Sequence, residues 1–242
     1  MISIASIVEG DGEMRALPVL LRRLSEWRPG DVFAQPLPPI RVHRDRFLNK
    51  EDEFRKQLLL AAAKCGEQGW ILVVLDADDD CPATLAAEIY QRAQQHVSHR
   101  RLSVVIANRE FEAWFIAAAR SLDSHRGFRC PQAVGVEAET PRDAKGWLRR
   151  HMESGTYSEV LDQPAFAAKI DLEQAFANSR SFRKPGMPRL VETPGCMCGS
   201  VLPAAPRCGR SSGLLDRGFQ APLQVDEDHN VFMMMCLAAG DR

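Results

Sequence analysis

Six consecutive apolar residues, Trp70-Ile-Leu-Val-Val-Leu75, run directly into Asp76-Ala77-Asp78-Asp79-Asp80, and this join constrains the chain more than any other feature. A strand with no solvent-facing side is what a central parallel strand needs when helices cover both of its faces. The flanking sequence supplies those helices. Ile2–Val8 reads as a short β-branched strand, Gly10, Asp11 and Gly12 break it, and Glu13–Trp27 places Met14, Leu17, Leu20, Leu21 and Leu24 at helical spacing. Leu37–His43 is a weaker strand candidate in a Pro-rich stretch, and Asp52–Cys65 reads as a second helix through Phe54, Leu58, Leu59 and Ala62. A helix restarts at Pro82, where Pro fits a first helical turn, and runs to about Val97. Leu102–Ala107 is the fourth strand and Phe111–Ser121 the helix after it. Alternation of this kind predicts an α/β fold: a mostly parallel sheet of about four strands flanked by helices and joined by right-handed crossovers.

After Ala133 the pattern weakens into two further helices, Thr140–Met152 and Gln163–Ala177, which lead to the basic stretch Ser179-Arg-Ser-Phe-Arg-Lys184. The expected organisation is an α/β core over residues 1–125, a helical extension of the same domain over 126–184, and an irregular tail over 185–242. From Pro185 the chain turns rich in Pro, Gly, Ser and Cys with no usable period, as a divergent or out-of-frame C-terminus does.

Composition narrows the partners. Over 242 residues the net charge is −1, with 45% hydrophobic and 26% charged residues, so a disordered chain, a basic histone-like protein and an acidic tail are all excluded. No apolar run approaches the ~18–20 residues of a membrane span. The opening MISIASIVEGDGE lacks a basic leader and meets Glu9 early, so a cytoplasmic protein is expected. Seven cysteines, an odd number, argue against a disulfide framework. Cys196-Met197-Cys198 with a distant Cys208 does not match the paired spacing of zinc sites.

In an open parallel sheet, ligands bind at the carboxyl ends of the strands. Glu9, Asp76 with Asp78, and the Asn108–Glu112 segment all fall there. Carboxylates crowded together repel unless something positive sits among them, and Mg²⁺ or Mn²⁺ prefers such oxygen ligands. Strand alternation sends Asp76 and Asp78 to the same side, so both would reach one ion or flank two. Asp80, just before Cys81-Pro82, reads equally as a metal ligand and as a helix cap, and Asp79 as a solvated turn residue.

These residues resemble the TOPRIM domain of primases, topoisomerases and overcoming-lysogenisation-defect (OLD) nucleases. The resemblance rests on Ile7-Val-Glu-Gly-Asp-Gly-Glu13 and Val74-Leu-Asp-Ala-Asp78. More narrowly, IVEGDGEMRALPVLLRRL, LVVLDADDD, REFEAWFIA, DAKGWL, YSEVLDQPAFAAKIDL and SRSFRK are together similar to a TOPRIM-like family of unknown function (4276) over about residues 1–184. The resemblance implies a Rossmann-like fold and Mg²⁺-dependent phosphodiester hydrolysis of nucleic acid, in the first place DNA. Glu9, Asp76, Asp78 and Glu112 would match the family's metal-binding and acid/base residues. OLD-type nucleases couple the domain to an ATPase, and no G-x-x-x-x-G-K-[ST] loop occurs in this sequence, so ATP would come through a separate subunit in a phage-defence role.

Lys145 in DAKGWL would stabilise developing phosphate charge if it approaches the acids, and otherwise is an exposed helix residue. Arg41, His43, Arg44 and Arg46, and separately Arg180, Arg183 and Lys184, offer phosphate contacts as groups, while each alone reads as solvated surface. Two other functions fit the pattern: a non-catalytic regulatory or binding subunit on the same fold, and a D-x-D nucleotide-sugar transferase, which leaves Glu9 without a task.

Overall fold

The computed structural model describes residues 1–27, 34–131 and 138–183, all within one compact unit. The irregular tail, its cysteines and Lys184 lie outside the described residues.

The sheet has five strands: β1 (Ile2–Val8), β2 (Ala34–Pro36), β3 (Ile40–Arg41), β4 (Trp70–Asp76) and β5 (Arg101–Ala107). Every pairing is parallel, in the order β2-β1-β4-β5, with β3 also on β1. Of the strand expected over Leu37–His43 only the two-residue β3 forms, and a separate short strand, β2, lies just before it. Pro36, Pro38 and Pro39 carry no N–H, so the ladder is interrupted between them.

The helices are α1 (Asp11–Trp27), α2 (Arg44–Asn49), α3 (Glu51–Cys65), α4 (Pro82–Val97), α5 (Ala113–Ala117), α6 (Ala144–Arg150), α7 (Asp162–Lys169) and α8 (Leu172–Asn178). The helix expected over Phe111–Ser121 is shorter: Ala118 leaves helical geometry (φ −123°, ψ 30°) and a 3₁₀ turn, Ala119–Leu122, follows. The helix expected over Gln163–Ala177 is two, because the Asp171 side chain caps α8 by accepting from Gln174 N–H at 3.0 Å. None of the described helices is long and apolar enough to cross a membrane. Among the described residues, Cys65, Cys81 and Cys130 are not in disulfides.

Alternation along the strands sorts two cores. Ile71, Val73, Leu75 and Ala77 face α3 and α4, with Phe54, Leu58, Ile89 and Ala93. Trp70, Leu72 and Val74 face the other side, where α1 contributes Leu17 and Leu21, α5 contributes Trp114, and the extension contributes Phe166 and Phe182. Asp76 continues the second set, so the strand delivers its carboxylate to the side of the sheet covered by α1 and the extension. α7 packs directly on α1. Gly12 is what allows this: a Cβ there would lie 2.0 Å from Gln163 Oε1 and 2.9 Å from the Glu159 carbonyl oxygen.

Candidate acidic site at the carboxyl edge of the sheet

Beyond β4 and β5 the backbone leaves strand geometry in two facing left-handed residues, Asp78 (φ 49°) and Arg109 (φ 69°). They hold each other: Asp78 N–H donates to the Arg109 carbonyl at 3.0 Å, and Arg109 Nη1 donates to the Asp78 carbonyl at 3.0 Å. Non-glycine residues in this region cost about 1 kcal/mol or more and persist where surroundings over-determine them, often beside a functional site. The strand alternation expected to align Asp76 with Asp78 ends here.

The two aspartates consequently have different surroundings. Asp76 is withdrawn into the protein, and its Oδ1 accepts the Phe111 N–H at 2.8 Å. Burial, then repulsion from Glu13, Glu112 and Glu9, pushes its carboxyl well above the usual range, against the pull of Lys145. Asp78 is exposed and 3.7 Å from Arg44 Nη1. Asp80 is also exposed and pairs with Arg44 Nη2 at 2.6 Å, and the α4 cap position is occupied by Cys81, whose side chain makes no capping hydrogen bond. Asp79 is shared between Arg109 and Arg142.

Glu9 lies half-buried past the end of β1. Burial raises its carboxyl, and so do Asp78 and Glu13, while Arg44 and Lys145 oppose the shift. Its Oε2 is buried and accepts no hydrogen bond. Glu112 is fully buried, and its Oε1 accepts from Gln163 Nε2 at 3.1 Å and from the Tyr157 hydroxyl at 3.3 Å. Its Oε2 is likewise buried without a partner. Burial, resisted by Lys145 and reinforced by Glu13, lifts Glu112 to about 8. The same carboxylate, with burial, drives Tyr157 well above its ordinary value.

Lys145 is the cation that these acids share. Burial works to lower its ammonium, but Glu112, Asp76, Glu159 and Glu110 more than offset that and hold it above the ordinary lysine value. Its Nζ is 3.5 Å from Glu159, and its backbone N–H donates to Glu110 Oε2 at 2.9 Å, fixing the start of α6 against the segment after β5.

The structure therefore couples Asp76 to Glu9, Glu112 and Lys145, leaves Asp78 exposed against Arg44 yet within electrostatic reach of Glu9, and turns Asp80 outward onto Arg44. Two buried residues join them to which sequence reasoning gave no role. Glu13 lies inside the EGDGE stretch, as the third residue of α1, where a glutamate reaches back to the N-cap backbone; here its Oε2 accepts from Gly10 N–H. That position relative to the Gly-Asp-Gly break was a usable signal. Gln163 donates to Glu112 and, at 3.5 Å, to Glu13 Oε1 across 150 residues of sequence, and nothing local marks it.

Among the described residues, no three His, Cys, Asp or Glu side chains stand as placed in an arrangement that could hold a metal ion. What the pocket offers a cation is an all-oxygen donor set with two buried, unpartnered carboxylate oxygens, Glu9 Oε2 and Glu112 Oε2, and raised carboxyls whose repulsion it would relieve.

The basic groups are partly committed. Arg41 pairs with Asp11 at 3.1 Å, and Arg183 donates to the Phe176 and Ala177 carbonyls at the end of α8. The SRSF stretch is a structural anchor: Ser179 Oγ, Ser181 N–H and Ser181 Oγ all donate to Glu139 Oε1, and Asn108 donates to Glu139 Oε2. Burial would raise Glu139, but these donors hold it below its ordinary value. Trp114 Nε1–H in turn donates to Ser181 Oγ at 3.0 Å.

The model of one family, described as "Domain of unknown function (DUF4276)", matches residues 8–184 and so takes in both the sheet and the extension that closes the pocket. The chain belongs to this family. No curated protein and no solved structure matches it.

Proposed function

We propose that this DUF4276 protein is a metal-dependent phosphodiester hydrolase of the TOPRIM type, related to the OLD-nuclease branch and acting on DNA alone or as a nuclease subunit. The observation that carries this reading is the pocket itself: Glu9, Asp76 and Glu112 lie at the carboxyl edge of a parallel sheet with carboxyls raised by burial and by one another, and two oxygens unpartnered. Mg²⁺ or Mn²⁺ is the cation such oxygens take. When bound, it polarises a phosphoryl oxygen and lowers the pKa of the attacking water.

The chain's own residues have defined tasks in this reading. Asp76, Glu9 and Glu112 would hold the ion. Below about pH 8 without metal, Glu112 carries a proton, and because Oε1 already accepts two hydrogen bonds that proton belongs on Oε2. Lys145 stays charged beside the acids and faces developing negative charge on the phosphate. Arg44, tied to Asp78 and Asp80 at the rim, supplies positive charge for the nucleic-acid backbone. A cytoplasmic role in phage defence beside a separate ATPase rests on the OLD resemblance.

The test is cleavage of plasmid and linear DNA with Mg²⁺ or Mn²⁺, by wild type and Asp76→Asn, with and without ATP. Metal-dependent cleavage that Asp76→Asn abolishes supports the proposal, and cleavage retained by that variant rejects it. A second reading, a non-catalytic binding subunit, is favoured by the pairing of Asp78 and Asp80 with Arg44. It predicts a melting temperature that rises with Mn²⁺ and no cleavage under any condition.

A further inference from the structure

We propose that Gln163 is a positioning residue of the acidic pocket, its side-chain amide tying Glu13 to Glu112 so that α7 completes the site begun by the sheet. The inference deepens the cation-pocket reading and rests on it for its functional meaning. Gln163 is fully buried, and its Nε2 has two N–H donors. One goes to Glu112 Oε1 at 3.1 Å and the other toward Glu13 Oε1 at 3.5 Å. An amide suits this place because it donates twice without adding charge. A lysine would neutralise the carboxylates that the cation is to meet, and a glutamate would add to their repulsion.

The amide's orientation is fixed by its donor end. Oε1 is buried with no hydrogen-bond partner and lies against Gly12, where even a Cβ would approach within 2.0 Å. Turning the amide over would place that oxygen on two carboxylates. The residue thus leaves its own acceptor unpaired and spends both donors on acids from different elements, α1 and the turn before α5.

Two measurements on the full chain separate this inference from the cation reading. The first is a thermal double-mutant cycle without metal, pairing Gln163→Met with Glu112→Met. Non-additive shifts in Tm are expected, because removing either end loses the same bond; additive shifts overturn the bridge, whatever metal does. The second is a Mn²⁺ titration followed by Tm and repeated as DNA-cleavage rate against Mn²⁺ concentration. Gln163→Met is expected to need on the order of tenfold more Mn²⁺ for the same effect, the size typical of residues that orient metal ligands. Unchanged Mn²⁺ dependence overturns the positioning role. A wild type indifferent to Mn²⁺ removes the cation reading and with it the positioning role, while the cycle still decides the bridge. If Gln163→Met does not fold, Gln163→Asn replaces it in both measurements, with the amide kept on a shorter arm.

Discussion

Phe111 N–H donates to Asp76 Oδ1 at 2.8 Å, so the last side chain of the central strand holds the turn after β5 as well as contributing charge to the pocket. Substitution can separate the two roles. Asp76→Asn keeps an acceptor for Phe111 and removes a charge that burial and Glu13 disfavour. Without metal at pH 7.5 it is expected to melt at or above the wild-type temperature and to lose stabilisation by Mn²⁺. Asp76→Ala leaves the N–H unpaired and is expected to cost about 1–3 kcal/mol. Thermal unfolding with and without Mn²⁺ reads all of these, and a metal-free Asp76→Asn markedly less stable than wild type contradicts them.

Stability should depend on pH in a direction that metal changes. Glu9, Asp76 and Glu112 have folded-state pKa values above their unfolded ones, so the folded state binds protons more tightly. Their stabilising contribution is complete below about pH 4 and is lost as pH rises, that of Glu112 near 8. Metal-free protein is therefore expected to melt progressively lower between pH 5 and 8.5, as roughly placed by the ordinary carboxylate range. Saturating Mn²⁺ should flatten that slope, since metal takes the place of the protons. A metal-free melting temperature that climbs across this window refutes the assignment.

Gly12→Ala tests the docking of α7 on α1. In an exposed helix interior the change stabilises by about 1 kcal/mol. Here the new methyl meets Gln163 Oε1 and the Glu159 carbonyl, and overpacking of this kind costs about 1–3 kcal/mol. The clash outweighs the helix gain, so Gly12→Ala is expected to lose stability, and denaturant unfolding that shows a gain contradicts this.

The main strands and their parallel sense were legible because buried parallel strands print continuous apolar runs: β4 and β5 begin or end within a residue of where WILVVL and LSVVIA place them. Helix breaks were less so. Asp171 caps α8 and splits what periodicity joins, although Asp followed three residues later by Gln174 was a readable cap. Strand alternation carried Asp76 to the right side of the sheet but could not be extended to Asp78, whose left-handed turn has no marker in DADDD. Glu13 and Gln163 both lie inside quoted motifs, but the role of Gln163 was not legible, because its partners lie 51 and 150 residues away.

Ser181→Ala should weaken the extension without touching the acids. It removes a donor to Glu139 and the acceptor of the buried Trp114 Nε1–H, with an expected loss of about 1–3 kcal/mol. Thermal unfolding measures the loss, and Mn²⁺ dependence of Tm should be unchanged in the variant.

The bond between Glu13 and Gln163 has a consequence for how the protein is made. At ~5–20 residues per second, a ribosome delivers Glu13 several seconds before Gln163. The sheet and its acids are complete only once Glu112 is made, and they then face an uncovered flank for the 51 residues up to Gln163, so the pocket closes only near the end of synthesis of the family domain.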